Sequence, residues 1–242
     1  MQTSPFPYQA PHSNHKGIAY TKFPNEKRPV ILVAHAYKGQ DDFAREKAQW
    51  LAELGYVGIA LDIYGDGKVA KDDQEAGALM KPFFEDRQEL QNRMQAAFQS
   101  LKNLTFVDTS KVGIIGFCFG GLASIELLRS GADLKGVCTF HGVVADAKFG
   151  VTAKRAPPKP MHGAFLLLHG ADDPLNTWQD LENLAKEFTD AKVDWEFDIY
   201  GHTVHAFTNP QANDKKSGLV YDPKIAKRAF TKMELFFKEI YK

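Results

Sequence analysis

Apolar positions along the chain follow two alternating patterns. Short unbroken runs, rich in β-branched and aromatic residues, occur at "VILVAHAY" (30–37), "VGIALDIY" (57–64), "KVGIIGF" (111–117), "KGVCTFHG" (135–142), "AFLLLHG" (164–170) and "DWEFDIYG" (194–201). Each run predicts a buried strand. Between them lie segments with apolar residues three and four apart, the spacing of an amphipathic helix. "FAREKAQWLAEL" (43–54) ends at Gly55, "GLASIELLRSG" (121–131) stops at Gly131, and "WQDLENLAKEF" (178–188) and a final "PKIAKRAFTKMELFFKEIY" complete the set. "KPFFEDRQELQNRMQAAFQSL" (81–101) is helical at least from Phe84, because Pro82 fits best near a first turn.

Strands that are apolar throughout are covered on both faces, and helices between them supply parallel crossovers. The pattern therefore predicts an α/β fold with a mostly parallel sheet and helices on both faces. No repeat, low-complexity tract or long linker interrupts it, so residues 1–242 are expected to form a single domain. Ligands of such sheets sit outside the carboxyl ends of the strands, and reactive residues are sought there.

Composition narrows the function classes. The 242 residues suffice to bury roughly 70–75 % of the unfolded surface without a metal or disulfide staple. Thirty basic and thirty acidic residues cancel, which argues against a nucleic-acid binder. No apolar stretch approaches the roughly 20 residues of a membrane span. The opening "MQTSPFPYQAPHSNHKG" is polar and proline-rich, without an apolar signal core, so a cytoplasmic location is expected. Two cysteines, Cys118 and Cys138, make no disulfide framework, and a reducing compartment leaves a thiol free to react.

Three strand ends carry chemistry. "GFCFGG" (116–121) follows the third strand with the Gly-x-Cys-x-Gly spacing of a nucleophile elbow, where glycines relieve crowding at a sharp strand-to-helix turn. The helix beginning near Phe119 directs its N-terminal amides at the Cys118 sulfur and favours the thiolate. Cys138, in mid-strand, reads as core filler. "HGADDP" offers Asp172 and Asp173, of which Asp173 is the better candidate acid. "YGHTVHAF" offers His202 and His205, and either is suited to accept a proton from Cys118. No carboxylate or third histidine lies at a spacing that suits a metal, and no cofactor motif is present. The order nucleophile, acid, histidine is that of an α/β-hydrolase triad.

With these motifs the chain resembles the dienelactone hydrolase family of α/β-hydrolases, from "VILVAHAYKG" to the last helix. "GFCFGG" is the most specific piece, and "HGADDP" and "HAFTNP" match the family's acid and histidine loops. The resemblance implies an α/β-hydrolase fold with a minimal core and no large lid domain. It implies Cys118 as nucleophile, Asp173 as acid and His205 as base, with His202 a bystander. Backbone N–H groups of Phe119 and Tyr37 are the expected oxyanion hole. Tyr64 and His141, at strand ends, are expected to line the pocket.

Two departures from the family stand out. Ala36, beside His35, occupies the position of an activating glutamate. Asn209 stands where relatives carry a carboxylate-binding arginine four residues past the histidine, leaving Arg87, with Lys81, as the candidate cation. The expected function is hydrolysis of a lactone or small ester through an acyl thioester. The alternatives are a general carboxylesterase or thioesterase, a non-catalytic small-ligand-binding relative, and a redox sensor using Cys118. A small-molecule ester or lactone is the expected partner. Natural substrate and oligomeric state are not readable from the sequence.

Overall fold

The computed structural model describes residues 1–145, 153–155, 157 and 159–242. Among them, strands β1 (Gln2–Ala10), β2 (Ser13–Thr21), β3 (Arg28–Ala34), β4 (Val57–Ala60), β5 (Val107–Phe117), β6 (Asp133–Phe140), β7 (His162–Gly170) and β8 (Asp194–Tyr200) form one sheet in the order β1-β2-β4-β3-β5-β6-β7-β8. β1 and β2 are antiparallel, as are β2 and β4, and every later pairing is parallel. The helices are α1 (Asp42–Glu53), α2 (Asp73–Glu85), α3 (Arg87–Ser100), α4 (Phe119–Arg129), α5 (Trp178–Asp190) and α6 (Pro223–Ile240). A two-stranded hairpin, β9 (Asn213–Asp214) and β10 (Leu219–Val220), lies in the loop between β8 and α6.

Strand side chains alternate between two cores. Leu32, Ile114, Val137 and Leu167 pack under Leu90, Met94, Ile125 and Leu184 of α3, α4 and α5. Ile31, Val33, Ile115 and Leu168 pack under Ala48, Leu51, Ala229 and Phe237 of α1 and α6. This double covering is why the strands read as continuous apolar runs. Cys138 belongs to the second core, where burial and the nearby Asp198 charge push its thiol pKa well up. No helix among the described residues is long and apolar enough to cross a membrane.

The structure corrects the expected elements in three places. The polar, proline-rich opening is the β1–β2 hairpin: Phe6, Tyr8 and Ala10 alternate inward, and Pro5 and Pro7 occupy an edge strand, where a missing N–H is tolerated. Pro82 lies in the last turn of a helix that starts at Asp73, not in a first turn. The helix expected through 84–101 breaks at Asp86, whose extended backbone (φ −127°, ψ 95°) lets its carboxylate accept the Glu89 N–H at 3.1 Å and cap α3.

Strands β3 and β4 also end earlier than the apolar runs do. Beyond β4, fully buried Asp62 gathers a turn: Oδ1 accepts the Gly65 N–H at 2.9 Å, and Oδ2 accepts Lys16 and Gly67 N–H at 2.8 Å. Its carbonyl accepts the Tyr8 hydroxyl at 2.8 Å and His15 Nδ1–H at 2.6 Å. The hairpin thus anchors the loop that carries Tyr64.

Candidate active site

Cys118 stands between the last residue of β5 and the first of α4 with φ +54° and ψ −116°, a conformation L-residues rarely adopt. Neighbouring contacts hold it there. Its N–H donates to the Phe140 carbonyl at 3.2 Å, and its own carbonyl accepts from Gly121 at 2.9 Å and Val143 at 3.1 Å. The turn requires its glycines. A Cβ on Gly116 would come within 2.1 Å of the Gly120 carbonyl oxygen, and one on Gly120 within 2.1 Å of the Ala34 carbonyl oxygen. The half-buried Cys118 sits just past the end of β5, at the carboxyl end of the sheet.

Of the two aspartates after β7, Asp173 is buried and Asp172 exposed. Asp173 Oδ1 accepts the Leu175 N–H at 2.8 Å, and Oδ2 accepts His205 Nδ1–H at 2.7 Å. Of the two histidines after β8, His205 is buried and His202 exposed, the latter at a left-handed turn (φ +57°). Hairpin β9–β10 grips His205 on both sides: its N–H donates to Gly218, and its carbonyl accepts from Val220, both at 3.0 Å. Phe207, fully buried, anchors the same loop in the core below.

The electrostatics follow from these contacts. Burial disfavours a charged His205, but Cys118 and the Asp173 carboxylate outweigh it and push the imidazole pKa up to about 10. Nε2 of His205 makes no hydrogen bond among the described residues, and the charge of Cys118 acts on the ring. Burial alone would raise the Asp173 pKa, yet the hydrogen bond and charge of His205, with His169 behind it, bring it below the ordinary carboxylate value.

Two further buried histidines surround this pair. His169 Nε2 lies 3.7 Å from Asp173 Oδ2, too far for a hydrogen bond, and burial lowers its pKa to about 4. His141 packs edge-on against His205, with ring centroids 4.8 Å apart, and shares a 2.8 Å hydrogen bond from Nε2 with Thr208 Oγ1. It is only 2 % exposed, so it braces His205 rather than presenting an open wall. His35 is also neutral. It donates from Nδ1 to the Ala36 carbonyl at 2.6 Å, accepts the Ile63 N–H on Nε2 at 3.1 Å, and burial lowers its pKa to about 4.

Aromatic side chains of the core pack beside Cys118. Tyr64 stacks on Phe119 and Phe83, with centroids at 5.7 and 6.0 Å, and the charge of Cys118 reaches the hydroxyls of both Tyr64 and Tyr37. The expected cation is elsewhere. Arg87 is wholly buried, donates to the Phe83 carbonyl at 3.0 Å, faces Glu126 at 3.9 Å and lies over the Phe84 ring. Lys81 pairs with Glu85 on the exposed side of α2. Asn209 Oδ1 accepts the Gln211 N–H at 3.0 Å and so is engaged in a turn. His169 and Thr208 carried no separate signal in the sequence, and His141 was marked there only by its place at a strand end. His169 was visible only as the first residue of "HGADDP", and the Asp173 contact depends on the fold.

The model of the dienelactone hydrolase family matches residues 17–241. The chain belongs to the dienelactone hydrolase family. It is a hydrolase of α/β-hydrolase architecture. Protein usf of Aquifex pyrophilus is 29% identical over 225 residues, covering 91% of this chain and 92% of that protein. Among solved structures, m3DLH is 32% identical with a TM-score of 0.88, over 99% of this chain and 98% of its own. A dienelactone hydrolase-like promiscuous phosphotriesterase from metagenomic libraries is 34% identical with a TM-score of 0.89, at the same coverage. No separate lid domain is present among the described residues of this family member.

Proposed function

We propose that this dienelactone hydrolase family member hydrolyses small carboxylic esters or lactones with Cys118 as nucleophile, His205 as acid and base, and Asp173 as the residue that orients His205. The observation that carries this reading is the buried 2.7 Å contact of His205 Nδ1 with Asp173, with its Nε2 left to interact with a cysteine held at a strained elbow. The thiolate adds to the carbonyl carbon and the C=O electron pair moves onto oxygen. The N–H groups of Phe119 and Tyr37 receive that oxyanion. Its collapse expels the alkoxide, which takes a proton from the His205 imidazolium and leaves a thioester. Neutral His205 then takes a proton from water as the hydroxide adds to the thioester, and collapse releases the acid and regenerates the thiolate.

The substrate is proposed to be small and neutral. Ala36 supplies no carboxylate to couple substrate charge to the thiol. Asn209 is a neutral amide whose Oδ1 accepts from Gln211, and Arg87 is buried against Glu126 and Phe83. The half-buried Tyr37 offers aromatic surface instead.

The test is turnover of a panel of p-nitrophenyl esters, neutral lactones and a carboxylated dienelactone, with Cys118→Ala as the blank. Neutral substrates should reach kcat/KM within about tenfold of the carboxylated one, because a neutral donor in place of an arginine fork gives up roughly 1–2 kcal/mol. Full activity in Cys118→Ala would refute the nucleophile, and a hundredfold preference for the anion would refute the substrate class.

A further inference from the structure

The loop after β3 leaves the strand ladder at Ala34, so the direction of the Tyr37 N–H is not set by sheet hydrogen bonds. Contacts from elsewhere hold the carbonyl and the side chain of Tyr37. Its carbonyl accepts the Tyr64 hydroxyl at 2.6 Å, and its phenol donates to Asp73 Oδ1 at the start of α2 at 2.7 Å. The Tyr37 N–H shares its peptide with the Ala36 carbonyl, which accepts His35 Nδ1–H at 2.6 Å and Gly39 N–H at 3.2 Å, and on the far side the Ala70 N–H donates to the Lys38 carbonyl at 2.8 Å.

Tyr64 is built as a rigid post. It is 5 % exposed. His35 meets its ring edge-on at 4.7 Å, and Phe83 and Phe119 stack on it. Arg93 Nη1 donates to its carbonyl at 2.7 Å and to that of Ile63 at 3.0 Å, fixing the backbone as well. Its hydroxyl proton is committed to Tyr37, so it is not available for donation to a substrate. Burial and the Cys118 charge raise its pKa, and the phenol keeps that proton across the working range.

We propose that Tyr64 is a positioning residue for the oxyanion hole: its hydroxyl holds the Tyr37–Lys38 peptide and so restrains rotation about the Tyr37 Cα, keeping the preceding peptide, which carries the Tyr37 N–H, turned toward the oxygen of the carbonyl that Cys118 attacks. The inference rests on the assignment of Cys118 and Tyr37 above and gives Tyr64 a role other than lining the pocket. An oxyanion donor acts only when correctly aimed, so a loosened peptide weakens the transition state more than substrate binding.

Tyr64→Phe keeps the ring and removes the hydroxyl. With p-nitrophenyl acetate, its p-nitrophenolate burst should slow by about tenfold or more while KM stays within about twofold. Iodoacetamide alkylation of Cys118 should keep its rate, because displacement of iodide at a saturated carbon develops no oxyanion. An unchanged burst, a change confined to KM, or a parallel fall in alkylation would each overturn the proposal. Should Tyr64→Phe not fold, Asp73→Ala releases the other end of Tyr37 from an exposed side chain. There a slower burst with unaltered alkylation supports the proposal, and an unaltered burst overturns it. Full turnover in Cys118→Ala would instead refute the underlying assignment.

Discussion

His205 Nδ1 donates to Asp173 Oδ2 at 2.7 Å across 32 residues of sequence, and both side chains are almost completely buried. Such a bond fixes the imidazole tautomer and leaves Nε2 as the nitrogen that, in the proposed reaction, carries the proton. His202, three residues earlier, is exposed. His205→Ala should therefore lower kcat by 10³-fold or more, while His202→Ala stays within about threefold of the parent. Steady-state kinetics on one p-nitrophenyl ester suffice, and a larger loss at His202 would reverse the assignment.

The positive φ of Cys118 stores strain that glycine would not carry. Cys118→Gly and Cys118→Ala both remove the sulfur and should both abolish turnover. Cys118→Gly should be the more stable of the two by about 1 kcal/mol, or roughly 2–4 °C in Tm for a chain of this size. Equal melting temperatures would show that the elbow is not strained in solution.

The pH dependence of stability follows from His205. Burial works against its charge, but Cys118 and Asp173 raise its pKa from 6.5 to about 10 in the folded chain. A pKa raised on folding contributes stability that is complete below the unfolded value and is lost as pH rises through the folded one. The stability gap between the parent and His205→Gln should thus shrink between about pH 6.5 and 10. Asp173 has the opposite sign: its lowered pKa contributes above its ordinary value of 3.8 and is lost as pH falls below that. Urea titrations at several pH values check both, and a gap that widens toward pH 10 would contradict the His205 assignment.

Arg87 gives a separate test of substrate charge. Its guanidinium is buried between Phe83, Phe84 and Glu126. Arg87→Met should cost about 3 kcal/mol of stability by removing a cation beside a buried carboxylate, although Arg129 and Gln91 still contact Glu126. The ratio of kcat/KM for carboxylated and neutral esters should not change. A selective loss of the carboxylated substrate would return Arg87 to the binding site.

Most elements of the central sheet were legible as local pattern. Unbroken runs such as "GIIGF" and "FLLLHG" identify doubly covered strands, and reactive residues beyond their ends mark one face of the sheet. The hairpin at residues 2–21 was obscured because prolines ordinarily exclude a strand, and only its edge position makes them acceptable. The break at Asp86 was hidden for a related reason: an N-cap is a backbone conformation, and the residue type permits it without requiring it.

The candidate site divides in the same way. The sequence by itself determined the glycine-flanked cysteine, the acid loop and the histidine loop, because each is a local solution to a turn at a strand end. It left Asp172 beside Asp173 and His202 beside His205, since neighbours in a loop have nearly the same local propensities. Tertiary structure separated them by burial, bringing Asp173 and His205 together under the β9–β10 hairpin and leaving the other two in solvent. It also decided the fate of Arg87, which a charge on an amphipathic helix could not reveal, because α3 turns that side chain toward Glu126 of α4. Periodicity and turn chemistry act over a few residues, whereas a hydrogen bond between loops exists only after the sheet has aligned the strands that carry them.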